Sequence, residues 1–152
     1  MTSSQLDAIM EDMMAVKLHA PIKPFRGWRG VDKYGSGSFG ASRDGGGRWH
    51  IGADAIALPG EAAFSPITGK VDKLGTCYAG DIYRYVRIVG NGAYTGTIVR
   101  VLYVEPRVVE GEGVAAGEQI GLVQDISKRD VGITPHVHIE IWKAIDPSGV
   151  VG

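Results

Sequence analysis

The chain has 152 residues, 44% of them hydrophobic and 22% charged, enough length and apolar content for one domain with a packed core. Its formal net charge of −1 leaves no basic footprint for nucleic acid, and its single cysteine, Cys77, rules out an internal disulfide and a cysteine-built zinc cluster. The 23 glycines and 7 prolines favour turns and short strands over long helices.

Residues 3–17 carry helical spacing. Leu6, Ile9, Met10, Met13, Met14 and Lys17 follow the i, i+3, i+4, i+7 pattern, with Asp7, Glu11 and Asp12 mostly off that stripe. Ser3 or Ser4 suits the N-cap, and Asp7 suits the first turn. The pattern predicts an amphipathic helix that either docks on a partner or covers an edge of its own domain; its methionines suit varied surfaces. Residues 20–49 read as loop with short extended pieces. Gly35-Ser36-Gly37-Ser38-Phe39-Gly40 spells GxGxxG, but Asp44-Gly45-Gly46-Gly47 follows, which cannot open the helix a dinucleotide fold needs there. His19 stands alone before Pro21 and Pro24 and is assigned no role.

From residue 50 onward the pattern is β. Residues 60–66 and then Gly69-Lys70-Val71 read as short strands. Residues 82–89 form a strand, Gly90-Asn91-Gly92 is a hairpin signal, and residues 97–104 are its β-branched partner. Val108-Val109, Gly111-Glu112-Gly113-Val114 and residues 119–123 give two or three more short strands. Residues 127–134 are polar loop. No apolar run reaches the roughly 20 residues of a membrane span. The N-terminus shows no basic segment followed by an apolar one, as a secretory signal would.

The last strand carries the chemistry. His136, His138, Glu140 and Trp142 share one parity; Val137, Ile139 and Ile141 share the other. Successive strand side chains face opposite ways. The aliphatic residues therefore bury one face, and the histidines line the other about 7 Å apart along the backbone. Such a pair either converges on a metal or reacting group, or decorates a surface strand. His50-Ile51-Gly52-Ala53-Asp54 offers two further ligand types on one segment, and Gly52 permits a close approach or a bend. Three of the 4 histidines fall in these two motifs. A hydrolytic zinc site takes three protein ligands and leaves the fourth position to water, and these segments together supply them. Cys77 reads as a buried inert thiol, with no activating charge near it in sequence. Glu110 and Glu112 read as solvated turn residues, and the aromatics are not interleaved with a basic stripe for single-stranded nucleic acid.

In chain order, Phe39-Gly40 with Arg43, His50-x-Gly52-x-Asp54, residues 60–71, Gly111-x-x-Val114-x-x-Gly117-x-x-Ile120-Gly121 and Pro135-His-x-His-Ile-Glu140 resemble the lysostaphin-type (LytM-type) zinc peptidases of peptidoglycan. The resemblance covers about residues 35–142. It implies a mainly β fold, a single antiparallel-sheet domain over 35–145 with a groove above the zinc. A helix and extended arm (1–34) would precede it, and a tail (146–152) would follow. It further implies zinc on His50, Asp54 and His138, with His136 as general base or water-orienting residue. Glu140, at the same parity, is placed to hold a histidine in its tautomer.

One motif departs from that pattern. Active members carry a histidine in a Tyr-x-His-Leu segment, where this chain has Arg100-Val-Leu-Tyr-Val-Glu105. An ungapped count puts Leu102 there, and one deletion puts Tyr103 there. Only Tyr103 can donate a hydrogen bond to a developing oxyanion, and losing one such donor typically costs roughly 10²–10³ in rate. The Leu-Tyr-Val-Glu-Pro segment and Gly132-Ile-Thr-Pro-His-Val-His-Ile-Glu140 also resemble the vertebrate leukocyte cell-derived chemotaxins, zinc-binding relatives regarded as non-catalytic. Those rely on several disulfides that Cys77 alone cannot supply. Two expectations follow. One is a zinc metallopeptidase cutting peptide cross-links of bacterial cell wall. With no visible signal peptide, it would reach the wall as a phage product, anchored to a virion or other assembly by the N-terminal helix. The other is a zinc-binding module without turnover, structural or protein-binding in a larger assembly.

Overall fold

In this computed structural model, the described backbone comprises residues 18–27, 31–32, 35–36, 40–44 and 48–144, with side chains over 18–27 and 52–142. The helix expected over residues 3–17, the C-terminal tail and the side chain of His50 lie outside the described residues.

After residues 18–27 come short strands: β1 (Val31–Asp32), β2 (Gly35–Ser36) and β3 (Gly40–Asp44). Strand β4 (Arg48–Ile56) carries the first motif. Next come β5 (Ala62–Phe64), β6 (Gly69–Thr76), β7 (Arg84–Gly90), β8 (Thr97–Leu102), β9 (Val104–Pro106), β10 (Gly113–Val114), β11 (Gln119–Val123) and β12 (His136–Ala144). One sheet of seven strands runs β10-β6-β7-β8-β12-β4-β3, and a smaller one runs β5-β11-β9. Every pairing is antiparallel. The mainly β, antiparallel fold expected from the sequence is therefore present. Val108-Val109 forms no strand; the chain pairs through β9 instead. The expected hairpin exists as β7–β8, but a 3₁₀ turn over Gly92–Tyr94 lengthens the connection beyond two residues.

Alternation decides the layering. In β8 every second residue, Thr97, Val99 and Val101, is buried. In β12 Val137, Ile139 and Ile141 are buried against the same core. Val86, Ile88 and Ala55 join them from the large sheet, while Ala63, Val104, Ile120 and Val123 come from the smaller one. The core thus fills the space between one face of the large sheet and the small sheet, and apolar burial of this kind is the main stabilising term. It leaves the opposite face of β12 and its neighbours to carry polar groups.

Register aligns those groups into rows. Tyr85, Leu102, His138 and Asp54 stand side by side across β7, β8, β12 and β4. The next row holds Arg87, Arg100, Glu140 and Gly52, and the one beyond it Val89, Ile98, Trp142 and His50. Directly opposed strand residues have Cβ atoms about 5 Å apart, so each row sets its residues side by side.

Candidate metal centre

The row Asp54–His138 forms the centre. Asp54 is 6% exposed, and its Oδ1 accepts a hydrogen bond of 2.5 Å from His138 Nδ1–H. His136 stands two residues earlier on the same face of β12 and is 3% exposed. Its Nδ1 lies 2.7 Å from the carbonyl oxygen of Thr134. A carbonyl only accepts, so Nδ1 carries the proton, and in the neutral ring Nε2 carries the lone pair. That Nε2 lies 3.6 Å from Asp54 Oδ2. One carboxylate is thus flanked by two imidazoles, His138 at one oxygen and His136 at the other. On the far side of His138, Nε2 lies 3.9 Å from Glu140 Oε2.

Gly52 shapes the space. The sequence leaves it either a bend or a close approach; β4 keeps an unbroken register with β12 through it, so the bend is not used. An added Cβ would stand 3.2 Å from His138 Cε1 and 3.4 Å from its Nε2. The missing side chain is where the His138 ring lies. His50 occupies the same parity of β4, opposite Trp142. Four residue steps of regular strand separate it from Asp54, about 13 Å along the backbone.

These groups fit a zinc ion in part. Carboxylate oxygen and imidazole nitrogen are the donors zinc takes, and Asp54 and His138 bring one of each together. Among the described residues, no group of three His, Cys, Asp or Glu side chains is placed to hold a metal. His50, the third ligand that the sequence resemblance implies, has its side chain outside the described residues. Zinc held there would polarise a bound carbonyl and a water as a Lewis acid. This chain's own contributions are the Thr134 carbonyl that fixes the His136 tautomer, the buried Asp54 between the histidines, and the space at Gly52.

The two candidates for the missing histidine both border the site. Leu102 stands in the row of His138 and Tyr85. Tyr103 meets the His136 ring edge-on with centroids 5.3 Å apart. Its φ of 70° is the one positive value among the described non-glycine residues, a costly conformation for a bulky side chain. Tyr103 NH donates to the Arg84 carbonyl and its carbonyl accepts from Gln124 NH, so the backbone on both sides holds it there. Its hydroxyl lies 2.8 Å from that of Tyr78, and Tyr83 packs against its ring edge. Burial, then the Tyr78 hydrogen bond, push its pKa far above the ordinary value, so it stands as a neutral phenol. Cys77 packs beside this cluster, and burial raises its thiol pKa, as an inert thiol requires.

Sequence reasoning did not single out Tyr78 or the charge that Arg100 brings. The Arg100 guanidinium lies 4.9 Å from the Tyr85 ring centroid and 5.1 Å from that of Trp142, and it pairs with Glu140. Its parity in β8 was the available signal, but only the register with β12 turns that into a contact. Tyr78 lies in the β6–β7 connection and left none.

Known proteins share this arrangement of strands. Over 122 residues the chain is 30% identical to leukocyte cell-derived chemotaxin-2 of Mus musculus, covering 79% of this chain and 76% of that protein. The chain belongs to the leukocyte cell-derived chemotaxin-2 family. A further relative, Myeloid protein 1 of Gallus gallus, is 32% identical over 123 residues, 79% of this chain and 36% of that protein. No known family profile matches the chain. Among solved structures, the solution structure of lysostaphin superposes with a TM-score of 0.52 at 17% identity, over 88% of this chain and 51% of that one. The chain thus spans about half of lysostaphin and shares its fold. The chemotaxin-2 family and the lysostaphin fold meet in this molecule as the sequence motifs implied.

Proposed function

We propose that this chemotaxin-2 family member is a zinc-dependent peptide hydrolase of lysostaphin-like fold that acts on peptide cross-links of bacterial cell wall. The supporting observation is the position of His136: buried, with Nδ1–H committed to the Thr134 carbonyl and Nε2 turned to the Asp54 carboxylate at 3.6 Å. An imidazole so held presents a basic nitrogen beside the candidate ligands, as a general base for a water must. His50, Asp54 and His138 would hold the zinc. Tyr103, beside His136, would donate to the oxygen on which charge develops.

A second reading is favoured by Tyr103 itself. One deletion sets it where active lysostaphin-type peptidases carry a histidine; it is committed to Tyr78, and would leave a zinc-binding module without turnover. Digestion of purified peptidoglycan, with zinc and with chelator, separates the two. Hydrolysis predicts new amino groups released only with zinc, and a loss of about 10²–10⁴-fold in His136→Ala. Bound zinc with no release at any pH would leave the module.

A further inference from the structure

Arg100 stands on β8 opposite Glu140, two residues from Leu102, the partner of His138. Two residues of strand are about 7 Å, so Arg100 lies on the face of the Asp54–His138 row and one row away from it. Its guanidinium is held diagonally between Tyr85 of β7 and Trp142 of β12, 4.9 and 5.1 Å from the ring centroids. An added Cβ at Gly75 would stand 2.2 Å from the Tyr85 ring, so that ring lies in turn against β6. A cation between two ring faces keeps few of its rotamers. The guanidinium carries five N–H donors. Nε is buried without a hydrogen-bond partner, and Glu140 Oε1 takes a terminal nitrogen. The Arg100 side chain still keeps 29% exposure, against 13% for Glu140. The other Glu140 oxygen lies 3.9 Å from His138 Nε2. The pair is thus a dipole, its negative end toward the centre and its positive end toward solvent. Arg87, next in the row, is neutralised by Asp72 through Nε and Nη2, so the donors left over in this row are those of Arg100.

We infer that Arg100 is a specificity residue, which receives a carboxylate of a peptide bound along this face, about two residues from the bond at the Asp54–His138 row. The inference rests on the peptide-hydrolase reading for the kind of ligand, and it narrows that ligand to an acidic peptide. An extended chain advances about 3.3–3.6 Å per residue, so two residues cover the 7 Å between the rows. A carboxylate is the planar, two-oxygen anion that the edge of a fixed guanidinium matches. An uncharged amide in its place accepts a weaker hydrogen bond and brings no charge to the outer end of the dipole.

The test is calorimetric binding to the full chain, with chelator present so that nothing is cut. The probes are the peptides freed of glycan from purified peptidoglycan, used as they stand and after carbodiimide-driven amidation of their carboxylates. Amidation should weaken binding to wild type by about 10–100-fold, the scale of a hydrogen bond to a charged group. Arg100→Met, which can still lie between the two rings, should bind both forms alike, at the affinity of the amidated one. If that variant does not fold, nitrogen-15 spectra of wild type serve instead: the Arg100 guanidinium signals should shift with the acidic peptides and stay in place with the amidated ones. Equal binding of the two forms by wild type, a preference that survives in Arg100→Met, or no binding of either form overturns the assignment. Hydrolysis with zinc restored is read separately. A carboxylate preference without zinc-dependent cleavage sinks the hydrolase and keeps the Arg100 site, whereas cleavage indifferent to amidation does the reverse.

Discussion

Gly52 has two roles that pull in opposite directions. A glycine inside a strand costs roughly 0.5–1 kcal/mol relative to alanine through backbone entropy. Its missing side chain is also the space beneath His138. In Gly52→Ala the new Cβ would stand 3.2 Å from His138 Cε1, so the ring must move by a few tenths of an ångström, and Nδ1 moves with it. The expected outcome is a thermal midpoint, measured with chelator present, that holds or rises slightly, while zinc affinity falls by about 10-fold, the scale of a disturbed ligand orientation. Calorimetric titration beside a thermal melt reads both, and unchanged affinity would show that the ring has room to spare. For the ligands, His50→Ala and His138→Ala should each weaken zinc by more than about 100-fold, above the cost of losing an outer partner. Wild-type zinc binding in His50→Ala would move the third ligand elsewhere.

At the β8–β9 junction one residue departs from strand geometry, and the aromatic cluster follows from it. The left-handed conformation of Tyr103 ends the pairing of β8 with β12, and its ring lies against His136, Tyr83 and Tyr78. Tyr103→Phe keeps the rings and removes the hydroxyl pair, so it should cost about 1 kcal/mol by denaturant unfolding. The pH dependence has a definite sign. Tyr103 is raised above its ordinary 10.0, so the folded state retains a proton that the unfolded chain loses. Its stabilising share is complete below that value and is lost as pH rises above it. Spectrophotometric titration should show this tyrosine ionising only with unfolding, and Tyr103→Phe should flatten the alkaline loss of stability. Ionisation of Tyr103 in the folded protein would contradict the burial.

The same junction marks the boundary of what the sequence made legible. The face of β12 was readable because alternation is local: His136, His138 and Glu140 needed only their own spacing. The β7–β8 pair was readable from its β-branched runs, though the 3₁₀ turn was not. The Asp54–His138 row was not readable from spacing, because it depends on the register between strands 84 residues apart. Arg100 became a neighbour of Glu140 through the same kind of long-range pairing. The conformation of Tyr103 had no local signal at all, since a bulky residue is a poor candidate for positive φ; the backbone partners on each side impose it.

At the scale of the molecule, the segment before β1 closes the core from one end. His19 NH donates to the Pro66 carbonyl, Phe64 NH to that of Pro21, and Ile56 NH to that of Gly27. These bonds lay residues 18–27 along β5 and the end of β4, and they drive Ile22 into the core at 0% exposure. Arg26 adds a forked pair to Glu61, both contacts at 2.6 Å. That guanidinium, together with the Leu58 NH, holds the Glu61 carboxyl below its ordinary value of 4.5. The stability this pair contributes is present above that pH and is lost as pH falls through the lower, folded value. The two side chains are 29% and 21% exposed, so salt screens the pair and its share is small. The segment is therefore held chiefly by Ile22. Ile22→Ala should cost about 2–5 kcal/mol by denaturant unfolding, whereas Glu61→Gln should lower stability slightly at neutral pH and make the acid limb of the stability curve shallower. Because the segment bonds to β5, to Pro66 and to Ile56 at the end of β4, and not to Asp54 or His138 themselves, zinc affinity in folded Ile22→Ala should match wild type. A joint loss of affinity and stability would mean that the arm, and not only the register of β4 with β12, sets the geometry of Asp54 and His138.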